Sequence, residues 1–213
     1  MFEEATVQSI LEKIEGSNFE KPCLTQAELK RVLDDGEQRV IQRVYSINPD
    51  EYGLDIEYYG EHAQPTNLVK VPKQTRVSSS QQHYLPRPTL NAFQRLRNAL
   101  KQATDESLII LSGYRSPTRQ ATLFLAFLDQ YSYDLHQTLR RVVPPGYSQH
   151  GHPDKQAIDI TTGEQATSPE GFAETAAYEW LKENADTHGF RESYPENNDV
   201  GVMYEPWHWS HHK

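Results

Sequence analysis

Apolar positions recur at three- and four-residue intervals near the start of the chain. Val7, Ile10, Leu11 and Ile14 predict a helix over residues 4–15. Thr25-Gln26-Ala27-Glu28 has the form of a capping box and opens a second short helix running to Leu33. Between Val40 and Val77 the pattern shifts towards alternation, in Val40-Ile41-Gln42-Arg43-Val44-Tyr45 and Leu54-Asp55-Ile56-Glu57-Tyr58, which predicts strands or extended loops. Ser78-Ser79-Ser80-Gln81-Gln82 is the best linker candidate. Beyond it, Leu90, Phe93, Leu96, Leu100 and Ala103 form a helical stripe, and Ser107 to Leu111 is a short β-prone run. Pro117 suits the first turn of a helix carrying Leu123, Phe124, Phe127 and Leu128. Leu135 to Val143 predicts another short helix, Ala157 to Ile160 a buried strand, and Thr167 to Asp186 a helix ended by Gly189. Gly201–Tyr204 and Trp207–Ser210 are expected to pair as a hairpin around Pro206. Helices and short strands in mixed order, without regular βαβ alternation, indicate an α+β fold.

The bulk numbers narrow the function classes. A chain of 213 residues supports one well-buried core, and 36% hydrophobic with 24% charged residues is an ordinary globular balance. The formal net charge of -9, with no basic block, argues against a nucleic-acid partner. Cys23 is the only cysteine, which excludes an internal disulfide and a cysteine-based zinc site. No apolar run approaches the ~20 residues of a membrane span. Met1 to Gly16 carries Glu3, Glu4, Glu12 and Glu15 and lacks the basic and apolar regions of a signal peptide. A protein acting outside the cytoplasm would then use another export route, have lost a leader, or be delivered or released.

The chemistry concentrates in the second half. Glu205-Pro206-Trp207-His208 sets a carboxylate three residues before a histidine, and His150 and Asp159 lie upstream in Ser148-Gln149-His150 and Ala157-Ile158-Asp159. Two neutral nitrogens and one carboxylate for a divalent cation, plus a second carboxylate for a proton, match the needs of a zinc hydrolase. Singly, each residue has an ordinary explanation: a turn-capping Asp, a hydrogen-bonded loop His, a His satisfied among tryptophans, a surface Glu. Co-occurrence favours the metal reading, with Glu205 as base rather than ligand. The absence of His-Glu-x-x-His excludes the common helical zinc-protease site. Arg115, in Ser112-Gly113-Tyr114-Arg115-Ser116, sits at a strand end, where a guanidinium either clamps a carboxylate or oxyanion or bonds backbone carbonyls. His211 and His212 are expected to fray at the C-terminus, and His62, His83, His136 and His188 to be structural or exposed.

In this order the motifs resemble the zinc D-alanyl-D-alanine carboxypeptidases of the vancomycin-resistance type, within the group named for lysostaphin, D-Ala-D-Ala metallopeptidases and sonic hedgehog. The resemblance covers about Leu85 to Trp209. It rests on Ser112-Gly113-Tyr114-Arg115-Ser116 with Gln120, Pro145-Gly146-Tyr147-Ser148-Gln149-His150, Ala157-Ile158-Asp159-Ile160, Trp180-Leu181 with Asn184-Ala185, Gly189-Phe190, Ser193-Tyr194-Pro195, and Tyr204-Glu205-Pro206-Trp207-His208-Trp209. It implies Zn2+ held by His150, Asp159 and His208, Glu205 as general base and then acid, and Arg115 stabilising developing negative charge. Gln120 and Ser148 would hold the substrate's C-terminal end, and Tyr204 and Trp207 would shape the pocket. One departure concerns the first ligand. The family usually has six residues between its metal His and Asp, whereas eight separate His150 from Asp159 here. His152 has the usual spacing, but the intact Pro-Gly-x-Ser-x-His entry favours His150, with the extra residues absorbed in the loop from His152 to Lys155.

The expected architecture is a small antiparallel sheet with flanking helices, similar to the hedgehog and D-Ala-D-Ala-peptidase domains, over 83–213. Residues 1–82 form an N-terminal extension of unassigned role. The expected activity is a D,D- or L,D-carboxypeptidase cutting peptidoglycan stem peptides in the periplasm or cell wall. Rivals are an endopeptidase or phage-type lysin of the same superfamily, and a non-catalytic zinc-binding module, against which Glu205 and Arg115 count because binding alone needs neither.

Overall fold

Val7, Ile10 and Ile14 are buried along one face of the first helix, α1 (Glu4–Glu15), as their spacing requires. The Thr25 capping box opens α2 (Gln26–Val32), with both reciprocal hydrogen bonds formed. The next element departs from expectation. Residues predicted as strand or extended loop form a helix, α3 (Asp35–Tyr45). Asp34 and Glu37 make a second capping box ahead of it, and Val40, Ile41 and Val44 are buried on one helical stripe. The β-branched residues imitated strand alternation, but the capping bonds and the i, i+1, i+4 spacing decided for helix.

The computed structural model describes residues 2–76, 82–162 and 170–212. Most of the candidate linker, 78–81, and the expected helix start at Thr167 lie outside these residues. Contacts divide the chain into two interleaved units, one built from Met1–Ala63, Arg115–Gly151 and Asp199–Met203, the other from Gln64–Tyr114, His152–Asn198 and Tyr204–Lys213.

The first unit is helical. It contains α1 to α3 together with α5 (Pro117–Gln130) and α6 (Leu135–Arg141), with α1 and α3 packed on α5. Pro117 occupies the first turn of α5, and Ser116 caps it by accepting from the Arg119 amide. The extended segment after the 3-10 turn Pro49–Tyr52 carries no regular strand. Within this unit, the N-terminal residues hold two of the candidate motifs. The Ser116 amide donates to the Pro22 carbonyl at 2.8 Å, and its hydroxyl to the Leu24 carbonyl at 2.6 Å. The Tyr59 amide donates to the Gly146 carbonyl at 2.7 Å.

The second unit carries the sheet. Its helices are α4 (Arg87–Thr104) and α7 (Ala176–Asn184). A two-stranded ladder pairs β1 (Leu68–Lys70) with β2 (Tyr84–Pro86). Among the described residues the main sheet has four strands, β3 (Leu108–Ser112), β4 (Lys155–Thr162), β5 (Phe190–Glu192) and β6 (His208–His212), in the order β3-β4-β6-β5 with antiparallel neighbours. Ile158, Ile160 and Trp209 join Phe93, Leu96 and Leu181 in one core cluster, each large side chain contributing about 1.5–3 kcal/mol when fully buried. The expected hairpin of 201–204 with 207–210 does not form. β6 pairs instead with β4 and β5, because its apolar face belongs to the sheet core. His211 and His212 accordingly do not fray; both lie in β6, and the buried His211 ring bonds Thr89 Oγ1 at 3.1 Å. The fold is α+β, with a small antiparallel sheet flanked by helices.

Two predictions follow from the helical unit. Glu37 is 4% exposed, and its carboxylate accepts from Lys13 Nζ, Ser9 Oγ and the Asp34 amide. Burial pushes its pKa up, but these donors outweigh burial and hold it below the usual 4.5. A depressed carboxylate pKa stabilises the fold above the unfolded-state value and loses that contribution as pH falls through the folded value. Glu37→Gln should therefore destabilise by about 1–3 kcal/mol at pH 7, and urea titrations should show the difference from wild type closing below about pH 4. Gly146 has φ +86, and a Cβ there would strike the Tyr58 ring. Gly146→Ala should cost about 1–3 kcal/mol in the same assay.

Candidate metal centre

The register of two strands builds most of this site. Asp159 on β4 lies directly opposite His208 on β6, and Ile158 opposite Trp209. Side chains alternate along a strand, so cross-strand partners share a face. Ile158 and Trp209 turn into the core, while Asp159 and His208 meet on the other side. Both are buried, and His208 Nδ1 lies 3.1 Å from Asp159 Oδ1. Two ligands on one tetrahedral zinc, at ordinary bond lengths, stand about 3.3 Å apart.

His150 completes the group. It is buried in a 3-10 turn, Gln149–Gly151, where its amide bonds Ser148 Oγ at 3.3 Å. One ligand atom from each of His150, Asp159 and His208 lies within 4.8 Å of the others. His152 is not in this group. Its Nδ1 accepts the amides of Asp154 at 3.0 Å and Lys155 at 2.8 Å, capping the turn into β4. The longer spacing between His150 and Asp159 is thus taken up in the loop that His152 closes. Two imidazoles and one carboxylate, buried and convergent, suit a borderline cation such as Zn2+ with one coordination position left open.

Glu205 stands beside the three residues. Its Oε2 is 3.6 Å from His208 Nδ1, and it is 6% exposed. The cause is a four-residue turn in which the His208 amide donates to the Glu205 carbonyl at 3.0 Å, with Pro206 at the second position. That turn is pinned on several sides. The Glu205 amide donates to the Tyr194 carbonyl at 3.0 Å, the Ile160 amide to the Trp207 carbonyl at 2.9 Å, and the Trp209 indole to the Pro206 carbonyl at 2.8 Å. The Tyr194 ring packs on the His208 ring with centroids 4.9 Å apart.

The remaining predicted residues fall into different places. The Arg115 amide donates to the His150 carbonyl at 3.1 Å, so the two motifs run side by side, and its side chain is half-buried. Arg119 follows one turn later. Burial, then the Arg115 charge, draws its pKa down to about 10, which leaves two cations at the start of α5 at neutral pH. Gln120 is buried and donates to the Val143 carbonyl at 2.7 Å, tying α5 to the loop before Ser148. Trp207 lies in the core cluster, and the half-buried Tyr204 donates its hydroxyl to Tyr178 at 2.8 Å. Tyr194 had no assigned role in the sequence, although its motif was visible. Tyr178 and Glu192 carried no signal, because only the fold brings them to Tyr204.

Comparison with known proteins identifies the family. A model of the VanY family, described as D-alanyl-D-alanine carboxypeptidase, matches residues 82–213. A D-alanyl-D-alanine carboxypeptidase of Enterococcus faecium is 28% identical over 127 residues, covering 59% of this chain; the match spans about a third of that relative's length, 36%. The structure resembles the LD-carboxypeptidase LdcB (TM-score 0.62, 27% identity, 74% of each chain). It also resembles VanYB in complex with D-Ala-D-Ala (TM-score 0.52, 25% identity, 68% of this chain and 82% of that one). A mutant of the D,D-pentapeptidase VanY in complex with Zn(II) is similar too (TM-score 0.50, 25% identity, 67% and 82%). The chain belongs to the VanY family of D-alanyl-D-alanine carboxypeptidases. No helix among the described residues is long and apolar enough to cross a membrane.

The two candidate histidines are separable by experiment. His150→Ala should weaken Zn2+ binding by more than about 100-fold in a chelator-competition titration, whereas His152→Ala should retain wild-type affinity.

Proposed function

We propose that this chain is a zinc-dependent carboxypeptidase that removes a C-terminal D-amino acid from peptidoglycan stem peptides, acting in the periplasm or cell wall. The observation that carries the reading is the convergence of His150, Asp159 and His208 within 4.8 Å, with the Glu205 carboxylate 3.6 Å from His208 Nδ1. A binding module has no use for a buried carboxylate beside its ligand set; a hydrolase does.

In this reading His150, Asp159 and His208 would hold the cation. When bound there, Zn2+ would supply Lewis-acid polarisation of the scissile carbonyl and would make a water more acidic. Glu205 would take a proton from the attacking water and return it to the amine of the departing D-amino acid. Arg115, set beside the His150 backbone and reinforced by Arg119, offsets the negative charge that develops on the tetrahedral oxygen or the charge of the substrate's terminal carboxylate. Against a chain of net charge -9, that local positive field is what admits an anionic substrate. Ser148 and Gln120 shape the loop entering His150, and Tyr204 and Trp207 flank Glu205 and Pro206 in the turn. LdcB, an LD-carboxypeptidase, and VanYB, complexed with D-Ala-D-Ala, favour a terminal D-amino acid on either side of the L,D and D,D division.

Mass spectrometry of defined tetra- and pentapeptide stems incubated with zinc-loaded protein tests the proposal and resolves that division. Wild type should release one terminal D-amino acid. Glu205→Gln should keep its zinc and lose at least about 100-fold in kcat. Equal product from both proteins would remove Glu205 from the mechanism, and cleavage only within cross-linked sacculi would favour the endopeptidase.

A further inference from the structure

Glu205 and His208 share a turn, so whatever holds its entry sets the distance between base and ligand. That entry is Tyr204. Its hydroxyl donates to Tyr178 Oη at 2.8 Å, and Tyr178 donates to Glu192 Oε1 at 2.9 Å. The chain has a direction. An ionised carboxylate can only accept, which obliges Tyr178 to donate to Glu192 and Tyr204 to donate to Tyr178. Each hydroxyl spends its single proton inward, and the Tyr204 oxygen keeps only acceptor capacity.

The far members are firmly seated. Tyr178 is 5% exposed on α7, edge-on to Phe172 and Trp209 at 5.9 and 6.4 Å between centroids. Lys182 Nζ lies over its ring, 5.0 Å from the centroid, and pairs with Glu179 at 2.8 Å. Glu192 is on β5, where it pairs across the ladder with Trp209, the neighbour of His208. Burial raises the Glu192 pKa above the usual carboxylate value, and the Tyr178 hydroxyl and Lys182 offset that rise only in part. The Glu192 carboxylate thus ties α7, β5 and the entry of the Glu205–His208 turn together through two phenols.

We propose that Tyr178 and Glu192 are positioning residues of the peptidase centre, which act through the Tyr204 hydroxyl to hold the turn that carries Glu205 and His208. The proposal rests on the peptidase reading above. It assigns Tyr204 to this chain of hydroxyls, its proton committed to Tyr178 and its oxygen left with acceptor capacity only.

Because Tyr→Phe keeps the ring and removes only the hydroxyl, kcat and KM are measured separately for wild type, Tyr178→Phe, Tyr204→Phe, Glu192→Gln, Glu192→Leu and the Tyr178→Phe/Glu192→Leu double variant. Tm and Zn2+ affinity by chelator competition are measured on the same proteins. Tyr178→Phe and Glu192→Leu should each lower kcat about 10-fold with little change in KM, in the range of outer-shell substitutions at metal sites. Glu192→Gln, whose amide oxygen still accepts, should recover most of the loss. The double variant should be no slower than the worse single one, since residues acting as one unit are not additive. Wild-type kcat in both Tyr178→Phe and Glu192→Leu would overturn the proposal, as would losses that follow Tm or zinc content. Wild-type protein that binds Zn2+ but cuts no stem peptide would reject the peptidase reading and this proposal with it; wild-type turnover with unaltered variants would reject this proposal alone.

Discussion

The pairing of Asp159 with His208 across β4 and β6 is the interaction on which the rest of the site depends. A carboxylate oxygen and an imidazole nitrogen are buried 3.1 Å apart, and such a contact is costly unless a proton or a cation lies between them. The register that creates it is held by the other face of the same strands, where Ile158, Ile160 and Trp209 enter the core. A slip of one residue would exchange the two faces, exposing the apolar set and burying Asp159 among it. The hydrophobic core therefore sets the spacing of Asp159 and His208: the energy that packs Trp209 under the sheet is also what brings these two side chains into line.

The Glu205–His208 turn sets a carboxylate beside His208 at small cost. A four-residue turn with Pro206 at its second position brings its first and last side chains close without a long loop to order. Since Glu205 and His208 leave the same turn, a distortion of its backbone changes the spacing of the two side chains. Bonds from Tyr194, Ile160 and Trp209 restrain the turn at separate points. This is the rigidity that a preorganised electrostatic site requires, where errors near 1 Å matter.

Residues 2–63 gain a role from the helical unit. Pro22 and Leu24 bind the backbone and hydroxyl of Ser116, directly after Arg115. Tyr58 and Tyr59 pack against Gly146, in the loop that leads to His150. The stretch contributes no residue to the metal group, yet it supports two of the loops that contain the candidate chemistry. It also brings α1 and α3 onto α5, whose first turn concentrates positive charge in a chain that is otherwise acidic.

The motifs around Arg115, His150, Asp159 and Glu205–His208 were legible in the sequence because each is local: a turn chemistry, a strand alternation, a three-residue spacing. Most helices were legible for the same reason, through their caps and apolar periods. Val40 to Tyr45 was misread because β-branched residues satisfy both periods, and only the Asp34–Glu37 capping bonds separate them. The β6 pairing was misread because a strand's partner is a non-local choice, made by the core that Trp209 enters rather than by the adjacent Gly201–Tyr204. The Pro-Gly-x-Ser-x-His entry already favoured His150 over His152, whereas the Tyr204–Tyr178–Glu192 chain and the support from residues 2–63 were beyond the sequence altogether. Local pattern determined which residues carry chemistry; tertiary packing decided which of them meet, because burial and register act between segments far apart in the chain.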